Sequence, residues 1–211
     1  MSGAADWLPI AAAVFGVPQF LPQLARVLRA GDTAGVSWSW AALTSVGNAG
    51  WIIYFTLSEF WTALVPAVSA TVLAGALALL LGRRNGVPRR PAAIVAAWTA
   101  LILLAWAATG RAGIGAVLTT SFVLQVAPSV WTAYRTPRPT GISRGTWLLI
   151  LGELLCFGLY GLHQGDPRLI ALGWTGVAAG LLMLGRAQYA AAASARLRRR
   201  RFHRGEASAP Q

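Results

Sequence analysis

Residues 19–37 read QFLPQLARVLRAGDTAGVS, and residues 125–143 read QVAPSVWTAYRTPRPTGIS. Shifted by 106 positions, the second stretch falls on the first. Gln19 meets Gln125, Pro22 meets Pro128, Arg29 meets Arg135, Gly35 meets Gly141 and Ser37 meets Ser143. The register runs on without a gap through Leu43 and Leu149 to Tyr54 and Tyr160, with Val36 on Ile142 and Trp51 on Phe157. A fixed-offset repeat constrains architecture before any single element does. The repeated unit is an apolar helix with a proline, a basic loop and a second apolar helix.

Outward from the repeat, apolar runs recur along the whole chain, which has 211 residues, 56% of them hydrophobic and 11% charged. Soluble domains average about 25% charged residues, and a bilayer-crossing helix needs about 20 mostly apolar ones. Runs of that kind fall at 7–28, 37–57, 61–82, 92–109, 112–134, 145–163 and 169–189. The expected fold is therefore an all-α integral membrane protein. Its seven transmembrane helices form two parallel three-helix bundles joined by a linker helix. Residues 7–82 are the first bundle, 92–109 the linker, 112–189 the second bundle and 190–211 a basic tail. One linker helix between three-helix units sets both units the same way up, about an axis along the membrane normal.

The net charge of +12 comes from 18 basic residues against 6 acidic ones, and every basic residue is arginine. Without lysine there is no Schiff-base chemistry and no Walker-type phosphate loop. Basic residues collect in cytoplasmic loops. On the seven-span count, Arg26, Arg29, Arg83, Arg84, Arg89, Arg90, Arg135, Arg138, Arg144 and the arginines from 186 onward share one side. Arg111 and Arg168 stand on the other. This orients the N-terminus outside and the C-terminus in the cytoplasm. Met1–Asp6 carry no basic residue, so the first span lacks the charged flank of a signal peptide.

The pattern Pro22-Gln23, a short basic loop, Gly35-Val36-Ser37, then Trp51-x-x-Tyr54 resembles a PQ-loop repeat. The second copy reads Pro128-Ser129, Gly141-Ile142-Ser143 and Phe157-x-x-Tyr160. With its three-plus-one-plus-three layout, the chain resembles the full-length SWEET-like transporters and their PQ-loop relatives over nearly all its length except the tail. The resemblance implies a carrier of a small polar solute, a sugar or an amino-acid-like compound, working by alternating access. It also implies that Pro22 and Pro128 are hinges. Two departures bear on the solute. The third-helix segments 66–70 and 172–176 lack the asparagine of the sugar carriers, and the second copy has serine where the family often has glutamine.

Polar groups within a bilayer are costly and mark function by default. Glu153 is the acidic residue placed deep in a span. It shares a helical face with Phe157 and Tyr160 through spacings of four and three. The repeat maps that face onto Gly47, Trp51 and Tyr54. These faces are expected to meet across the pseudo-twofold axis, with Asn48, Trp51, Tyr54, Glu153, Phe157 and Tyr160 binding solute; Tyr54 and Tyr160, nearer the outer end, are also candidates for a gate. Burial favours a neutral carboxyl, which can exchange a proton during transport. Gln19, Gln23 and Gln125 stand beside the prolines as gate residues or helix contacts. Trp7, Trp38 and Trp40 are expected in the interfacial belt, and Gly173, Gly176 and Gly180 in close helix packing.

Cys156, the sole cysteine, makes no intrachain disulfide and reads as a small buried hydrophobe. No His, Cys or carboxylate pair has metal-ligand spacing, and no nucleophile–base pair appears, so neither cofactor, metal site nor enzyme is expected. The basic tail suits anionic lipid rather than nucleic acid. An arginine-only, Ala- and Gly-rich chain points to a GC-rich bacterial genome and hence the cell membrane. The alternative reading is a seven-helix receptor or cargo binder without transport.

Overall fold

The computed structural model describes residues 7–137 and 139–203, with side chains as far as residue 192. The expected cytoplasmic arginine Arg138 and the tail arginine side chains from 196 onward lie outside the described residues. The described residues are all-helical in their regular structure: α1 Leu8–Gly16, α2 Leu21–Ala30, α3 Trp38–Leu57, α4 Trp61–Asn85, α5 Arg89–Arg135, α6 Arg144–Gln164 and α7 Pro167–His203. Among the described residues five stretches are long and apolar enough to cross a membrane: Leu8–Ala30, Trp61–Asn85, Arg89–Arg135, Arg144–Gln164 and Pro167–Ala192. This is the pattern of a multi-pass membrane protein. α3 is outside that set, its apolar character diluted by Ser39, Thr44, Ser45, Gly47, Asn48 and Gly50.

The helix boundaries differ from the expected spans in three places. The first run splits between Gly16 and Leu21. Pro18 and Pro22 lie one turn apart and remove two successive amide donors from one face, so the helix opens there. The freed carbonyl of Val17 accepts a hydrogen bond from Ser69 Oγ of α4 at 2.7 Å. The two runs expected at 92–109 and 112–134 form one 47-residue helical stretch broken at Gly110. A straight helix of that length would span about 70 Å, more than twice a bilayer core. Gly110 takes φ 58° and ψ −133°, backbone territory that glycine enters without a side-chain clash. The chain doubles back at this point. A Cβ placed on Gly50 would lie 3.0 Å from Leu118 and 3.4 Å from Ile102, residues about 24 Å apart in an unbroken helix. Finally, α7 runs on to His203, beyond the expected end of its span at 189.

The helices close into a ring. α1 packs on α4, α4 on α3, α3 on α5, α5 on α7, α7 on α6, and α6 back on α1. Within 7–82 the third helix stands between the first and second, and the same order holds within 112–189. Each group's first helix meets the other group's second. Ser37 caps α3 by accepting from Trp40 N at 3.2 Å. Its repeat partner Ser143 caps α6 by accepting from Thr146 N at 3.3 Å. Small residues bring the backbones together, as lipid-embedded helices require. Gly173 rests on Gly158, and Gly176 and Gly180 face Leu154 and Leu151 of α6.

Candidate functional site

The ring encloses a cavity of about 50 Å³, room for roughly three to five waters. From α3 it is lined by Trp40, Thr44, Asn48, Trp51 and Phe55, and from α6 by Trp147, Ile150, Glu153, Leu154 and Phe157. Gln19 and Phe20 enter from the break between α1 and α2, Phe122, Gln125 and Val126 from α5, Ala67 from α4 and Leu172 from α7. Six of the residues expected at the site are thus brought together: Gln19, Asn48, Trp51, Gln125, Glu153 and Phe157.

Glu153 is buried. The Gln19 side chain faces its carboxyl group. Gly16, one turn before Gln19, makes room for it, since a Cβ there would fall on Glu153 Oε1 and Pro66 Cβ. Across the ring the repeat partners do the reverse. Gln125 lies over Gly47, the partner of Glu153, and Phe122 occupies the register position of Gly16. Gln125 Nε2 bonds Ser121 Oγ on its own helix at 3.0 Å. Asn48 Nδ2 donates to Thr44 O at 2.9 Å. Trp51 is 3% exposed, and its indole Nε1 is buried without a hydrogen-bond partner. A buried donor left in that state costs free energy unless something else pairs it.

Trp40 was expected at the membrane interface. It is instead 3% exposed and stacks on Trp147 with ring centroids 5.3 Å apart. Its other neighbour is Phe20, at 5.5 Å. Trp7 is exposed, as a belt residue is. Trp40, Thr44, Asn48, Trp51 and Phe55 fall at spacings of four, four, three and four, one helical stripe. That stripe was the signal for the members the sequence reading missed: Trp40, Thr44 and Phe55.

Both ends of the cavity are bridged. At the arginine-rich end, Gln23 Nε2 donates to Gly141 O and Gln23 Oε1 accepts from Ser143 N, each at 2.9 Å. Gly141 N donates to Ala34 O at 2.9 Å, and Arg26 donates to Thr140 O. At the opposite end, Tyr54 lies outside the cavity lining. Its hydroxyl donates to Asp166 Oδ2 at 3.0 Å and accepts from Arg168 Nη1 at 3.1 Å. Tyr160 is also outside the lining, bonded by Gln164 at 2.8 Å and edge-on to Phe60. Pro22 sits in the first turn of α2, whereas Pro128 lies inside α5.

Among the described residues no group of three His, Cys, Asp or Glu side chains is placed to hold a metal. Cys156 is buried and free. No family model matches the chain, and no curated protein matches it.

Proposed function

We propose that the protein is a small polar-solute carrier of the PQ-loop, SWEET-like kind that works by alternating access across the cell membrane. In this reading the chain crosses the bilayer seven times, in three-plus-one-plus-three order. α1 and α2 together make one crossing, the two arms of α5 make two, and α3 crosses despite its polarity because the ring shields it from lipid. α3 has 20 residues, about 30 Å of helix. The N-terminus lies outside and the C-terminus inside, where the basic tail meets anionic headgroups.

The observation that carries the reading is the central cavity, built jointly by equivalent helices of the two units and bridged at both ends by bonds between those units. A solute held there is sequestered from both faces. Opening requires one set of bridges to part while the other holds. Gln23 with the loop around Gly141 is the inner gate, and Tyr54 with Asp166 and Arg168 the outer. Asn48, Trp51, Glu153 and Phe157 contact the solute, and Tyr160 lies by the outer gate. Pro22 and Pro128 act as hinges. Glu153 couples a proton to the cycle. No enzymatic chemistry belongs to this reading.

The test is radiotracer counterflow in proteoliposomes with sugars, amino acids and amines. Glu153→Gln is expected to lower pH-gradient-driven uptake about tenfold or more. Unchanged uptake with unchanged pH dependence would remove the coupling role. Saturable solute binding without counterflow would favour a receptor.

A further inference from the structure

The cavity has one ionisable lining side chain, Glu153, and no arginine, lysine or histidine. Seven of its 17 lining residues are aromatic, Trp51 and Phe157 among them. An anionic solute, or the carboxylate of an amino acid, finds no positive partner there. A sugar needs many donors and acceptors, whereas Asn48 and Gln125 each spend one amide hydrogen on Thr44 and Ser121, which leaves a sparse set: their amide oxygens and the Trp51 indole N–H. Gln19 faces Glu153. What the site does offer is a single carboxyl group among aromatic side chains, the chemistry that receives an organic ammonium ion.

We infer that the solute is a compact organic monocation, an amine or quaternary ammonium, that takes the place of the proton on Glu153. The inference rests on the carrier reading and names the solute for that same site. When the cation enters, the Glu153 O–H bond breaks and the proton leaves to water on the open side. The carboxylate and the cation then form a neutral pair. When the cation leaves, a proton returns, so one cation moves against one proton and nothing is oxidised or reduced.

The groups around Glu153 are compatible with this exchange. α1 brings Gly16 and Gln19, α4 Pro66 and Ala67, and α7 Leu172. α2 meets α6 at Gly145 through Pro22. On α6 itself the titratable neighbour is the Cys156 thiol. Asp166 and Arg168 are bonded to Tyr54 at the far end.

The experiment uses the purified full-length chain in weakly buffered detergent solution with a pH-reporting dye, and the same protein in proteoliposomes. Tetramethylammonium and choline are expected to release about one proton per cation bound, while glucose and alanine release none. Glu153→Gln should abolish release. Glu153→Asp keeps the carboxyl group and should restore release at a shifted pH, which separates chemistry from misfolding. Trp51→Ala should weaken choline binding about tenfold. Choline binding without proton release, or equal binding by Glu153→Gln, overturns the inference. Counterflow of glucose or alanine but not choline overturns it while leaving the carrier reading standing. Absence of counterflow for every probe, by protein that remains folded, overturns both.

Discussion

In the first unit the helix that carries Pro22 is broken between Gly16 and Leu21, and in the second the helix that carries Pro128 runs through unbroken. The difference lies one turn earlier. Pro18 precedes Pro22, whereas the repeat partner of Pro18 is Leu124. One proline removes one bond and a membrane helix tolerates it; two on the same face open the helix. A second contrast follows the same logic. Gln23 reaches across to Gly141 and Ser143, while its partner Ser129 is too short and meets Met183 Sδ at 3.8 Å instead. A third is the exchange of bulk at the cavity: Gly16 with Glu153 on one side, Phe122 with Gly47 on the other. The two units keep the places where helices meet and vary the residues that fill them.

The most damaging way to erase the contrast is to give the first unit the second unit's residue. Gly16→Phe would drive a ring into Glu153 and Pro66, with an expected loss of roughly 3 kcal/mol or more. A thermal melt of the detergent-solubilised protein reads this, and a wild-type melting temperature would refute the crowding seen at Gly16. Gln23→Ala leaves a buried carbonyl and a buried amide without partners, at a cost of about 2–4 kcal/mol. Ser129→Ala should cost under about 1 kcal/mol. Equal losses in a denaturant titration of the two variants would mean that the bridge at the arginine-rich end is not one-sided. Arg186→Ala removes bonds to Ala133 O and Thr136 O, whereas Arg84→Ala removes a bond to Val27 O. About 2 and 1 kcal/mol are expected respectively, resolvable by the same titration. The smallest effect belongs to Pro22→Ala, under about 0.5 kcal/mol, because the first turn of a helix has no use for that amide. Hydrogen exchange should show residues 17–20 better protected in that variant, where one proline remains, and better again once Pro18→Ala is added.

The repeat and the meeting of Gln19, Asn48, Trp51, Gln125, Glu153 and Phe157 were legible because each rests on a residue type in a fixed register. The arginine caps were not. Val27 and Ala133, whose carbonyls they bind, are partners at the offset of 106, but Arg84 and Arg186 differ from that offset by one helical turn. A flexible guanidinium reaches its carbonyl from either turn, so the bond persists while the alignment breaks. Trp40 was misplaced because a tryptophan near a helix end fits a membrane interface and a cavity floor equally well by composition. Its stacking partner Trp147 aligns with Ala41 in the repeat, so the pair leaves no repeated trace. The exchange of Gly16 and Phe122 is likewise invisible until α1 is seen against α6.

The ring also sets an order of events during synthesis. Gln19 enters the membrane with the first helix, but its partner Glu153 is made more than a hundred residues later. At ordinary translation rates that is a wait on the order of ten seconds. For that interval a glutamine side chain stands in the bilayer without its carboxyl partner, and the break at 17–20 has no α6 to rest on. The first helix is therefore the segment that depends most on whatever shelters nascent membrane chains. A ribosome stalled before α6 should leave it the most accessible to such factors.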